Sequence, residues 1–281
     1  MPHPPIFDPT PEAHALPSTT LTSALTTYSA ALTDALKSDP SDPIALGEYA
    51  ATLLHSAATF ERACEYFELC LKACADDEDA SGAAINQIYI TTFCTFSAIY
   101  AQGLLANNAA THYDKVEKLY ARGLELEPMN PLLSGDYPVF LHRYAKKYAK
   151  AETHYRAHLA NFPEHATAWT KYGNFLKSVK RDAAGAEAAY KSGVTLAPTN
   201  CDCLSSYAVF CHGTKGDYKT AENIYERAHA ADPTHVNNLS NYGLFLSEIK
   251  SDFERAEGMY KQAMDIDRLV SERGIPVLPA L

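Results

Sequence analysis

The stretch WTKYGNFLKSVKRDAAGAEAAYKSGVTLAP, residues 169–198, decides how the whole chain is read. Tyr172 and Phe175 stand three apart and Ala186 and Tyr190 four apart, so each pair falls on one face of a helix. Between them, Lys180-Arg181-Asp182 is short and polar and suits a tight helix-to-helix turn. Pro198 disfavours continuing the second helix through the residue before it. The spacing therefore predicts two antiparallel helices of about 12 to 15 residues each.

The pattern recurs along the chain. A shift of 35 residues aligns Tyr137, Tyr172, Tyr207 and Tyr242, then Phe140, Phe175, Phe210 and Phe245. The same shift aligns Ala-Glu pairs beginning at Ala151, Ala186, Ala221 and Ala256, each followed four residues later by Tyr155, Tyr190, Tyr225 or Tyr260. A fixed period in this range marks stacked units that bury their apolar faces on one another. Towards the N-terminus, Val116-Glu117, Tyr120 and Pro128 keep the register, and residues 42–75 form a divergent copy around Tyr49-Ala50, Ala63 and Phe67.

Between these two copies the interval is 53 residues instead of 35. The stretch 80–111 carries no charge and reads as a buried helix lengthened by an insertion, adding about 27 Å. Its Asn86, Gln87, Thr91, Thr92, Thr95 and Gln102 would leave polar groups in lipid, which argues against a membrane span. In the copy beginning at Pro131, Pro138 takes the place of Gly173, which predicts a helix that starts late or kinks. The expected organisation is a disordered Pro-rich leader over 1–19, a repeat domain over 20–267 and an irregular tail over 268–281.

The Trp169, Tyr172-Gly173, Ala186, Tyr190, Pro198 spacing resembles the tetratricopeptide repeat family, over roughly residues 40–267. The copies are one residue longer than that family's usual repeat, and the extra residue is assigned to the turn between helices. The resemblance implies an all-α fold, a right-handed superhelical solenoid of antiparallel helix pairs, with Trp169 packed between helices. It also implies a scaffold without enzymatic activity, whose concave groove, lined by the first helix of each copy, holds a segment of another protein. The residues placed there are His142, Thr170, Lys171, Asn174, Lys177, Ser205, Val209, His212, Ser240, Asn241, Leu244 and Ser247. The related half-a-TPR repeats give a second expectation, a scaffold in RNA processing.

Charge narrows the partner. With 24 basic against 34 acidic residues the net charge is −10, which opposes general nucleic-acid binding and favours a protein or peptide. Between Leu141 and Lys191, however, ten basic residues face four acidic ones, so an acidic segment is the expected ligand. Seven Cys, an odd number without a repeated spacing, and the lack of a secretory leader point to cytosol or nucleus.

Neither a metal nor a cofactor is expected. His154 and His158 share a helix face without the flanking carboxylate of a His-Glu-x-x-His site. Cys203 and Cys211, with His212 beside them, stand about 12 Å apart on a helix, too far for one zinc. Glu152, Glu187, Glu222 and Glu257 recur in every copy, so they are read as serving the repeat and not acid-base chemistry.

Overall fold

A computed structural model describes residues 18–53, 59–75 and 113–272, with isolated helical positions at 90, 91, 94, 97, 98 and 101. The chain divides into two compact units, 1–96 and 97–281. The division lies inside the uncharged stretch 80–111. Most of that stretch, the leader up to residue 17 and residues 273–281 lie outside the described residues. No described helix is long and apolar enough to cross a membrane.

In the first unit α1 (Ser18–Ser38) packs on α2 (Pro43–Leu53), which pairs with α3 (Phe60–Ala75). Leu32 of α1 joins Ala45 and Tyr49 in a cluster that Leu36, Leu53 and Tyr66 extend. The residues that mark the divergent copy, Ala50, Ala63 and Phe67, are fully buried.

The second unit is a stack of antiparallel helix pairs. Its helices are α4 (Tyr113–Leu126), α5 (Pro131–Arg143), α6 (Tyr148–Asn161), α7 (Ala166–Phe175), α8 (Ala183–Leu196), α9 (Cys201–Phe210), α10 (Tyr218–Ala231), α11 (Val236–Phe245) and α12 (Phe253–Glu272). Helices α5, α7, α9 and α11 are the first members of successive pairs. The first helices start at residues spaced by the repeat: the Asn130 and Asn200 side chains accept the N–H of Leu133 and Cys203, and His235 accepts that of Asn238. Asp182, Asp217 and Asp252 cap the second helices in the same way.

The extra residue of each copy sits where the first helix ends. There the last turn widens into a π-turn, over Leu176–Lys180, Cys211–Lys215 and Leu246–Lys250. Each closes on a left-handed residue, Arg181, Gly216 or Ser251, whose N–H reaches back five residues to Leu176, Cys211 or Leu246. Lys146, one period earlier, has the same positive φ.

The aromatic columns form the core. Phe140, Phe175, Phe210 and Phe245 are buried, as are Tyr155, Tyr190 and Tyr225. Each of these Tyr meets the Phe of the next copy, with ring centroids 5.4, 5.1 and 5.5 Å apart. A Cβ on Gly173 would stand 3.1 Å from the Tyr190 ring, which is why a residue without a side chain occupies that crossing.

Three expectations are corrected. Of the late start or kink expected of helix α5, the late start does not occur: Pro131 is its first residue, where the missing N–H costs no helical bond, and Pro138 lies inside it, buried. Trp169 is only half-buried, with its indole N–H donating to the Pro163 carbonyl at 2.8 Å, so it closes an inter-copy turn and does not fill a core. Helix α12 runs five residues past Asp267, because the proline that stops the other second helices is replaced by Arg268.

Candidate functional site

The first helices of the second unit carry their polar residues at positions such as 167, 170, 171, 174 and 177, all on one side of the helix. Side by side, α5, α7, α9 and α11 form the wall of one hollow of about 460 Å³. Of the residues expected in the groove, His142, Thr170, Lys171, Asn174, Lys177, Ser205, Val209 and Asn241 line it. His212, Ser240, Leu244 and Ser247 do not. His212 is instead held between the rings of Tyr218 and Phe245, and Leu244 is exposed beyond the hollow.

Thr170 and Ser205 reach the hollow only marginally, since both are almost fully buried in helix crossings. Thr170 also returns its hydroxyl proton to the Ala166 carbonyl. Lining residues not anticipated from the sequence include Thr167, Asp202, Asn237 and His235. The first three form a column at the repeat interval, one helical turn before Thr170 and Ser205. Continuing the i, i−3 stripe one turn further towards the N-terminus would have found them.

Hydrogen bonds decide what this wall offers. The buried Tyr190 hydroxyl donates to Asn174 Oδ1 at 2.7 Å, which fixes the amide of this lining residue and leaves its nitrogen as a donor. Lys171 is neutralised by Asp136 at 3.0 Å, and His235 donates through Nε2 to Asp202 at 2.9 Å. His235 also accepts the Asn238 N–H at Nδ1, so in its neutral form the ring serves as helix cap and carboxylate partner together, while the hydrogen bond to Asp202 raises its pKa to about 10 and opposes that form. Lys177 has no carboxylate partner among the described residues, and burial alone pulls its pKa down. His142 is pushed down to about 4, first by burial and then by Arg143 and Lys146, so it is neutral near pH 7.

The basic band between Leu141 and Lys191 is mostly spent elsewhere. Lys147 and Lys150 pair with Glu117, Arg156 and Lys180 with Glu152, and Lys191 with Glu187. The recurring Glu column is thereby explained: Lys180, Lys215 and Lys250, from the π-turn of one copy, each reach the Glu of the copy before at 2.9 Å. Among the described residues Arg143 and Lys177 remain as the cations of the lining without a carboxylate partner.

His154 and His158 do not converge. His154 packs on the Tyr137 ring, while His158 belongs to a buried chain of hydrogen bonds. In that chain Ser134 donates to the Asn130 carbonyl at 2.6 Å and accepts from His158 Nδ1 at 2.8 Å. His158 Nε2 then accepts from His165 Nδ1 at 2.8 Å, and His165 Nε2 from the Thr167 hydroxyl at 2.9 Å. Because the Ser134 proton is committed to a carbonyl, every later donor in the chain is determined. Among the described residues no group of His, Cys, Asp or Glu is arranged to hold a metal ion.

No protein-family profile matches the sequence, and no curated protein matches it. Solved structures do. The yeast Tom70 structure superposes with a TM-score of 0.53 at 17% identity, over 92% of this chain and 58% of that one. The fold is tetratricopeptide-like. At 14 to 18% identity the likeness establishes the fold alone. Pseudomonas aeruginosa PilF gives a TM-score of 0.52 at 14% identity, covering 66% of this chain and 87% of its own. PilW, a type IV pilus biogenesis factor, gives 0.52 at 18%, covering 62% and 78%. This tetratricopeptide-like chain thus spans less than two thirds of the Tom70 chain it matches.

Proposed function

We propose that the second unit is a non-enzymatic scaffold whose concave wall binds a segment of another protein through an acidic group seated at Asn174, Lys177 and Arg143. The observation that carries this reading is the oriented Asn174 amide beside a half-buried lysine without a carboxylate partner. A desolvated cation next to a fixed donor gains most from a carboxylate or phosphate that replaces the lost water. Around them Asn237, Asn241 and Ser206 supply hydroxyl and amide groups suited to a peptide backbone, and Val139 and Val209 supply apolar contact. His142, neutral and set against Tyr155 and the Phe175 ring, acts as a wall of the groove and not as an acid-base group.

The RNA-processing alternative draws no support from this surface, because two unpaired cations give little of the salt-dependent phosphate attraction that such binding needs. The test is selection of peptides from a random library on the full chain, followed by affinity measurement with the selected peptide. Enrichment in Asp and Glu is expected. Lys177→Glu should weaken binding by about tenfold or more, and raising salt from about 0.05 to 0.5 M should weaken it further. Selected peptides without acidic residues, bound equally by Lys177→Glu, would sink the proposal.

A further inference from the structure

A chain of hydrogen bonds joins three helices and ends at the wall of the groove. It runs through Ser134 of α5, His158 of α6 and His165, the residue before α7, to Thr167, which lines the hollow. Its donors are fixed, so the places where a proton can be added are fixed too. His158 Nδ1 already carries the hydrogen that it gives to Ser134. A hydrogen added to His158 Nε2 would face the N–H of His165 Nδ1 across 2.8 Å and break that bond. His165 Nε2 is different: it accepts from the Thr167 hydroxyl at 2.9 Å, and a hydroxyl oxygen accepts as well as it donates. A proton from solvent settling there keeps every bond of the chain and exchanges donor with acceptor in the last one. The Thr167 hydrogen is then released from the ring and can turn into the hollow.

The charges around this ring come from several elements. Asp136 of α5 and Lys171 of α7 act on it as a pair, 3.0 Å apart, and His158 reaches it from α6. Glu127, before α5, is held by Asn130 at 2.7 Å, and Glu164, next in the chain, is exposed. On α9, Asp202 is held by His235, and α8 approaches Ala166 with Gly193, which carries no charge. Burial first, and then Lys171, lower the pKa of His165 while Asp136 raises it, so in the free chain the proton is taken up below the ordinary histidine value.

With its proton, the pair adds one positive charge and one O–H donor to the hollow, and both favour an anionic group. Without it, Thr167 offers the hollow only lone pairs, which a carboxylate avoids. Asn174 stands two turns further along α7, about 10 Å away at about 1.5 Å per residue. About three residues of extended chain cover that length at about 3.3 Å each.

We propose that His165 and Thr167 form a second, proton-dependent subsite for the segment held at Asn174, Lys177 and Arg143, taking an acidic group about three residues from the first and binding it together with one proton. This rests on the reading of the groove proposed above, and adds to it the spacing of the ligand's charges and their dependence on pH. By reciprocity, the bound acidic group raises the proton affinity of His165.

The probe is a capped hexaaspartate peptide, titrated calorimetrically into the full chain at pH 6.5 in two buffers of different ionisation enthalpy, which counts the protons taken up on binding. Uptake of a large part of one proton is expected, and affinity should rise several-fold from pH 7.5 to 5.5. His165→Asn, whose amide keeps the donor to His158 but does not titrate, should lose most of the uptake and flatten the pH dependence. Thr167→Val should lose the gain in affinity at low pH, yet leave the His165 ring titrating in nitrogen NMR spectra of the free chain. Equal uptake in the native chain and in His165→Asn would overturn this inference and leave the groove reading standing. Nitrogen spectra of the native chain in which His158 takes a proton before His165 would overturn it too. A hexaaspartate that binds the native chain at none of these pH values would sink the groove reading and the subsite together.

Discussion

Tyr190 and Tyr225 hold equivalent places in successive copies, and both are fully buried, yet only one has its hydroxyl satisfied. Tyr190 donates to Asn174, sixteen residues before it, while the residue sixteen before Tyr225 is Val209, and the Tyr225 hydroxyl has no partner among the described residues. Removing a hydrogen-bonded hydroxyl costs about 1 kcal/mol, whereas removing an orphaned one is close to neutral or stabilising. Urea unfolding should therefore show Tyr190→Phe about 1 kcal/mol less stable and Tyr225→Phe unchanged or more stable. Tyr190→Phe should also weaken ligand binding, because it frees the Asn174 amide to rotate.

At the same scale His158 couples stability to pH. Its pKa is pushed down to about 4, first by burial and then by His165 and Lys171, against 6.5 for the free side chain. The unfolded chain then takes up a proton below pH 6.5 that the folded chain refuses, so stability falls as pH drops from 6.5 towards 4. For this one residue, 2% exposed, the loss at pH 5 is about 2 kcal/mol. Urea midpoints at pH 7.5 and 5 should differ by more in the native sequence than in His158→Ala, which carries the residue found there in the last two copies.

At the scale of the element, the π-turn is the device that fits a 35-residue copy into this fold. Its cost is a left-handed residue after each turn, and three of the four positions are filled by Lys146, Arg181 and Ser251 and not by Gly. A side chain in this region costs about 1 to 2 kcal/mol, part of which a glycine returns through its freer unfolded state. Ser251→Gly should raise stability by about 0.5 kcal/mol and Gly216→Ala should lower it by about 1 kcal/mol, read as shifts in the urea midpoint. The place of the extra residue was legible from Lys180-Arg181-Asp182. Its form as a widened helical turn was not, because the same three polar residues would also suit a loop.

For the molecule as a whole, two ladders run along the stack of the second unit: the buried Tyr and Phe columns, and the exposed Lys-to-Glu pairs from Lys180, Lys215 and Lys250. Burial decides which one holds the copies together. Phe210, fully buried, should cost about 3 to 5 kcal/mol when cut to Ala. Replacing all three lysines by Met should leave the urea midpoint nearly unchanged, since surface pairs are offset by side-chain entropy and solvent screening.

The sequence by itself determined the helices, their pairing and their period, because those follow from apolar spacing repeated copy after copy, a local property that survives any arrangement around it. It also marked eight of the seventeen residues that line the hollow, from residues outside the aromatic and small-residue columns. Only the tertiary structure decided which of those residues are available. Lys171 looks free in the sequence and is neutralised by Asp136 from the copy before; Thr170 and Ser205 look like surface and are buried at crossings. Ten basic residues within one stretch are reduced, in the lining, to Arg143 and Lys177. The partners of Lys147, Lys171 and Lys180 stand about 30 residues away in the chain but within 3 Å or so in space, in salt bridges that link one copy to the next. Charge and burial at any one residue are settled by the copy packed beside it, and no local pattern encodes that neighbour.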